Sequence, residues 1–75
     1  MQKLHMPKLL SSLHIIKVLY SFGFVFVSQK GSHIKLRKVG NPTLTVIIPA
    51  DKKEIPYGTF RSICRQANLN VTNFL

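Results

Sequence analysis

The sequence predicts one small α+β domain over residues 1–75, with a helix, three strands and a second helix in the order α-β-β-β-α. Its length and its 45% hydrophobic content are typical of a chain that folds around a single core. Apolar residues recur at helical spacing near both ends, whereas the middle alternates or is rich in β-branched residues. Short links between the middle segments predict a three-stranded antiparallel sheet, and we expect both helices to pack on one face of it.

The first helix is predicted over residues 12–22. Ser11 or Ser12 suits its N-cap, because a serine hydroxyl accepts a hydrogen bond from a free N–H of the first turn. Apolar residues follow at helical spacing, and Gly23 supplies the C-terminal stop. Residues 1–6 show no clear period and are predicted to form a flexible extension.

Three strands are predicted in the middle of the chain. Residues 24–27 are aromatic or β-branched and predict the first strand. A turn is predicted after it, at residues 29–31. Residues 32–38 alternate and predict the second, while the β-branched residues 43–48 predict the third. In the second strand, Ser32, Ile34 and Leu36 are expected on the core face. The other face is then basic and carries His33, Lys35 and Arg37.

The second helix is predicted to begin near Tyr57, directly after a proline. Its apolar stripe consists of Phe60, Ile63, Cys64 and Ala67. Arg61 and Arg65 lie one turn apart on another face, and Asn68 ends the helix. Residues 69–75 are expected to add a last helical turn that covers the core edge with Val71 and Phe74. The order of elements matches the double-stranded-RNA-binding-domain architecture, at the level of fold alone.

Charge narrows the class of partner. Eleven Lys and Arg residues face two acids, Asp51 and Glu54, which gives a formal net charge of +9. Such a field attracts polyanions, so nucleic acid, an anionic membrane surface and an acidic protein are the candidates. A domain of this size has no room for a deep substrate cavity, and a polymer bound on its surface suits it better.

Several classes of protein do not fit this sequence. Cys64, the only cysteine, excludes an internal disulfide and is expected to be a small buried hydrophobe. The three histidines lack zinc-site spacing, so no metal and no cofactor are predicted. His14 and Lys17 interrupt the apolar stretch near the N-terminus, and Gly23 breaks it. Neither a signal peptide nor a membrane helix is therefore expected, and the cytoplasm is the predicted location.

Three stretches resemble the HicA, or YcfA-like, toxin family. Residues 23–25 read G-F-V at the start of the first strand. Residues 29–33 end in Gly31-Ser32-His33, which looks like the family's G-S-H signature. Residues 58–67 read G-T-F-R-S-I-C-R-Q-A, similar to the family's G-T-L-R-x-I-L-R-Q-A run. The stretches keep the family's order and spacing, and the resemblance covers roughly residues 6–75. Phe60 and Cys64 replace leucines, which are mild departures.

The resemblance implies a fold and an activity. Members have a small double-stranded-RNA-binding-like fold and act as mRNA interferases, endoribonucleases of type II toxin–antitoxin systems involved in stress responses. They cleave RNA without a metal, and a partner antitoxin, HicB, neutralises them. The family's catalytic histidine, in the G-S-H signature, corresponds to His33.

The chemistry of RNA cleavage suits the residues around His33. The 2′-OH nucleophile needs a base, the phosphorane needs a cation, and the leaving 5′-oxygen needs an acid. Histidine titrates near neutral pH and can be base or acid; Tyr57, Lys30 or water are candidates for the second proton-transfer group. The predicted RNA-binding residues are Lys30, Gly31, Ser32, Lys35, Arg37, Arg61 and Arg65.

Three other interpretations remain open from the residues alone. The runner-up function is a non-catalytic module that recognises double-stranded RNA by its A-form shape. Another possible function is that of a subunit that binds an acidic protein and catalyses no reaction. His33 itself can also be one polar residue on a solvated strand face, with no functional role.

Overall fold

The computed structural model describes residues 8–75, and the extension predicted at residues 1–6 lies outside the described residues. The order α-β-β-β-α is confirmed, with a short 3₁₀ helix after it. The elements are α1 (Ser12–Ser21), β1 (Val25–Lys30), β2 (His33–Lys38), β3 (Leu44–Pro49), α2 (Tyr57–Ala67) and the 3₁₀ helix (Val71–Phe74). No helix within residues 8–75 is long and apolar enough to cross a membrane.

Two adjacent serines begin α1 in different ways. Ser11 is the N-cap, and its hydroxyl accepts a hydrogen bond from the His14 N–H at 3.1 Å. Ser12 is buried; its hydroxyl donates to the Pro49 carbonyl at 2.6 Å and accepts from the Lys52 N–H at 2.9 Å. The second serine therefore ties the start of α1 to the end of β3. The helix ends at Ser21, one residue before the predicted end.

The predicted antiparallel meander is confirmed, with strand order β1-β2-β3. The prediction for the first turn is wrong, because β1 continues to Lys30 and only Gly31 and Ser32 form the turn. Gly31 has a φ of +56° at the first central position of this two-residue turn, where a type II′ hairpin favours glycine. Ser32 therefore lies in the turn, one residue before the start of β2.

One hydrophobic core joins the sheet to both helices, as predicted. Its members at 1% exposure or less include Ile15 and Leu19 of α1, Leu36, Val46 and Ile48 of the sheet, and Phe60 and Ile63 of α2. Burial of each such side chain contributes roughly 1.5–3 kcal/mol. Both helices therefore cover the same face of the sheet, and the opposite face is left free of them.

The end of the chain closes the core as predicted. The four apolar residues expected on the α2 stripe are all buried. Asn68 ends α2 with a left-handed φ of 56°. Phe74 then packs edge-on against Phe60, with ring centroids 5.2 Å apart, and Val71 packs at the periphery of the core.

Candidate functional site

His33 lies on the face of the sheet that the helices leave uncovered, which we call the open face. Directly paired residues of neighbouring strands project to the same side of a sheet. The strand register therefore places nine residues on this face, in three rows that cross the sheet. The rows are Lys30–His33–Pro49, Ser28–Lys35–Ile47 and Val25–Arg37–Thr45.

The structure brings His33 together with two cations of its own strand. His33 is exposed as the first residue of β2, and Lys35 and Arg37 follow at alternate positions, partly buried. Successive side chains on one face of a strand are spaced about 7 Å apart. A polyanion lying along β2 can therefore contact both cations while one of its phosphates faces the imidazole.

A β-bulge decides which residues of β1 join this face. The register shifts between Phe26, which pairs with Leu36, and Ser28, which pairs with Lys35. One extra residue reverses the face of every side chain after it. Lys30 is consequently the partner of His33, with Cβ atoms expected about 4.5–5.5 Å apart. Without the bulge, a glutamine would occupy that place.

A hollow of about 90 Å³ lies beside the imidazole. Its lining residues are Ser28, Lys30, His33, Ile34, Lys35 and Ile47. Ile47 supplies an apolar wall, while the lysines and the serine hydroxyl supply polar groups. The sequence analysis missed Ser28 and Ile47, because neither residue lies in a recognisable motif. Only the strand register and the bulge bring them beside His33.

If the volume of a hollow were the only criterion, the candidate site would be placed in another part of the molecule. A larger hollow, about 650 Å³, is lined by residues 8–11, His14, Lys53 and Glu54, none of which belongs to the open face. The ring Nε2 of His14 hydrogen-bonds the Phe74 carbonyl at 2.7 Å. That bond joins α1 to the 3₁₀ helix, which gives His14 a structural role. We therefore place the candidate site by its chemistry, at His33.

The two arginines of α2 lie apart from the open face. Arg61 and Arg65 are exposed and line a hollow of about 360 Å³ with Tyr57 and Asn70, and no open-face residue contributes to it. The Arg61 guanidinium lies 6.0 Å from the centre of the Tyr57 ring. We call this the helix surface. The predicted RNA-binding residues are thus divided between two surfaces.

The candidates for the second proton-transfer group differ in position. Lys30 lies opposite His33 on the neighbouring strand. Tyr57 belongs to the helix surface, where its ring packs edge-on against Phe60 at 6.1 Å. The geometry therefore favours Lys30 over Tyr57 as the protein group closest to the imidazole.

Cys64 is a packing residue, as expected. It lies in the core at 4% exposure. Burial raises the pKa of its thiol, and the positive charge of Arg61 offsets only part of that effect. A thiol held in its neutral form is a poor nucleophile.

Comparison with known proteins shows which family the chain belongs to. A family model for the HicA toxin of bacterial toxin–antitoxin systems matches residues 14–69, about three quarters of the chain. The matched segment spans all three strands and α2, so it contains the open face and, from the helix surface, Tyr57, Arg61 and Arg65. A search of curated proteins gives no significant match. The chain belongs to the HicA toxin family.

Proposed function

We propose that this toxin is an endoribonuclease, an mRNA interferase that cleaves RNA on the open face without a metal ion. The observation that carries the proposal is the position of His33. It is exposed at the end of the G-S-H turn, with Lys30 opposite it and Lys35 and Arg37 along the same strand. A titratable imidazole among cations is what cleavage by the 2′-OH requires.

In the proposed reaction, the 2′-oxygen attacks the adjacent phosphorus and the bond from phosphorus to the 5′-oxygen breaks. A base removes the 2′-hydroxyl proton, and an acid protonates the leaving 5′-oxygen. His33 takes one of these two roles. The Lys30 ammonium, directly across the ladder from it, neutralises charge on the phosphorane. Lys35 and Arg37 hold neighbouring phosphates.

Contacts to the RNA backbone dominate in this proposal. None of the nine open-face residues is Phe, Tyr or Trp, so the face lacks the platform on which unpaired bases usually stack. Phosphate contacts position RNA without reading its sequence. We therefore expect broad sequence tolerance from the open face, with Arg61 and Arg65 as further phosphate contacts on the helix surface.

The proposed partner is a HicB-type antitoxin with acidic residues that cover the open face, and the proposed setting is the cytoplasm. Its support is the family membership and the basic character of the His33 strand. In a complex with the antitoxin, hydrogen exchange should slow across residues 31–38. A complex in which those amides exchange as fast as in the free toxin would contradict this arrangement.

One observation favours a second candidate, a non-catalytic module for double-stranded RNA. An open face with cations and no aromatic platform also suits recognition of A-form shape. Incubation of purified protein with RNA in EDTA separates the two. Cleavage by the wild type and not by His33→Ala supports the nuclease, whereas tight binding that leaves the RNA intact supports the module.

A further inference from the structure

The two edges of the sheet differ in whether their outward backbone groups already have hydrogen-bond partners. At the β3 edge, the Ile47 N–H donates to the Gln66 side-chain oxygen of α2 at 2.9 Å. Pro49, also on that strand, has no N–H to offer. At the β1 edge, no backbone hydrogen bond within residues 8–75 links residues 25–30 to any element other than β2. The β3 edge is therefore closed to further pairing at Ile47 and Pro49, whereas the β1 edge is open.

The register shows which backbone groups the open edge presents. Paired residues in an antiparallel ladder alternate between pairs that bond each other and pairs whose N–H and C=O point away. The backbone N–H of Ile47 points away from the sheet, toward Gln66. The backbone N–H and C=O of its partner Lys35 therefore point toward β1. The same alternation, carried through the bulge, leaves the N–H and C=O groups of Phe26 and Gln29 on the outer edge.

The side chains of this edge suit pairing with another strand. Val25, Phe26 and Val27 are exposed, Phe26 at 53%, and all three residues favour strands. Natural edges are usually protected by charge, proline, a β-bulge or a covering element. Here the bulge at Val27 is such a device, but it leaves residues 28–30 in regular register beside the candidate site.

We propose that the outer edge of β1 docks an extended strand of an acidic protein and so extends the sheet to four strands. The proposal rests on the proposed function in one respect, that the antitoxin supplies the strand. Side chains of an added strand that project to the open face would lie beside Ser28 and Lys30. An acid there pairs with the lysine that faces His33, so docking and masking of the site are coupled.

Charge selects this occupant over a second copy of the chain. Two molecules that each carry a net charge of +9 repel one another. An acidic strand gains from the same field, because the open face holds Lys30, Lys35 and Arg37 and no acid. Alternate apolar residues of that strand would contact Phe26 on the helix side.

The test uses the full chain and a synthetic peptide of about eight residues, a usual strand length, that alternates glutamate and valine. The peptide should bind and slow amide exchange at Phe26 and Gln29. A twin peptide, N-methylated along one edge, keeps the charge and loses the donors of that edge. The twin should bind about tenfold more weakly, the loss expected for one or two backbone hydrogen bonds. Equal binding by the twin, or no binding at all, overturns the proposal.

A matched pair of variants tests the same edge from the side of the protein. Gln29→Pro removes an outward N–H, while Gln29→Ala keeps it, and both lose the side-chain bond to the Gly31 carbonyl. Gln29→Pro should lose about tenfold in peptide affinity relative to Gln29→Ala. Similar affinities in folded variants overturn the proposal; if Gln29→Pro does not fold, the twin peptide decides.

Two further measurements separate the remaining occupants. Slow exchange at Phe26 and Gln29 in the full chain without peptide would mean that a second copy or residues 1–7 already cover the edge, and would overturn the proposal. Dimer formation in sedimentation would identify the second copy. RNA cleavage is measured without peptide, so its absence counts against the nuclease and leaves the docking result standing.

Discussion

The two faces of β2 divide stability from chemistry. Leu36 projects into the core and is fully buried, while its neighbours Lys35 and Arg37 share the open face with His33. Because side chains alternate along a strand, six consecutive residues supply both sets. A substitution on one face should change folding, and a substitution on the other should change activity with the fold intact. The predictions below for Leu36, His33, Lys35 and Arg37 test that division.

The largest effect is expected on the core face. Leu36→Ala removes a fully buried side chain and leaves a cavity between the sheet and the helices. We expect a loss of about 2–5 kcal/mol in the free energy of unfolding, measured by urea denaturation. For so small a domain that is a large share of the total. A loss below about 0.5 kcal/mol, the usual range for surface positions, would show that this face does not carry the core.

The next prediction compares the substitution of two histidines, His33 and His14, by alanine. His33→Ala should lower RNA cleavage by roughly 100-fold or more, the usual contribution of a proton-transfer group, and leave stability within about 0.5 kcal/mol. RNA binding should change little, because the phosphate contacts belong to Lys and Arg side chains. Cleavage assays with electrophoretic binding assays measure both quantities.

His14→Ala is the matched control for that comparison. It loses the hydrogen bond to the Phe74 carbonyl, so we expect about 1 kcal/mol of destabilisation and unchanged cleavage under conditions where the variant is folded. If folded His33→Ala cleaves as fast as wild type, the histidine is an ordinary residue of a solvated face and the catalytic assignment is wrong.

Salt dependence distinguishes the open face from the helix surface. Affinity for RNA should fall with salt, with a log–log slope of about 0.7–0.9 per phosphate contact. Lys35→Ala and Arg37→Ala should each reduce this slope by the amount expected for the loss of about one phosphate contact. The same measurement on Arg61→Ala and Arg65→Ala shows whether RNA reaches α2. A salt-independent affinity would contradict electrostatic binding altogether.

The smallest effect is expected in the turn that connects β1 with β2. Gly31→Ala places a Cβ in open space, so only the backbone conformation opposes it. At a φ of +56° that strain costs roughly 1–2 kcal/mol. Thermal unfolding measures the loss. Gly58→Ala, in the first turn of α2 with no atom within 4 Å of the added Cβ, is the control and should be neutral or stabilising.

The sequence by itself determined the elements and the position of the candidate site. Periodicity is local, so the alternation of β2, the apolar stripe of α2 and the left-handed cap at Asn68 were all predictable from short windows. The resemblance to the HicA family, carried by the G-S-H signature together with the run at residues 58–67, singled out His33, and the catalytic role of His33 stays a prediction.

Only the tertiary structure decided which residues surround that site. Pairing between strands depends on non-local register, and the bulge at Val27 reverses the faces of Ser28 and Lys30 without any local signal. Packing of α2 on the far side of the sheet set Arg61 and Arg65 on a separate surface. The same packing set Gln66 against one sheet edge and left the other open. These outcomes follow from contacts between distant residues, whose energies no single segment of the chain contains.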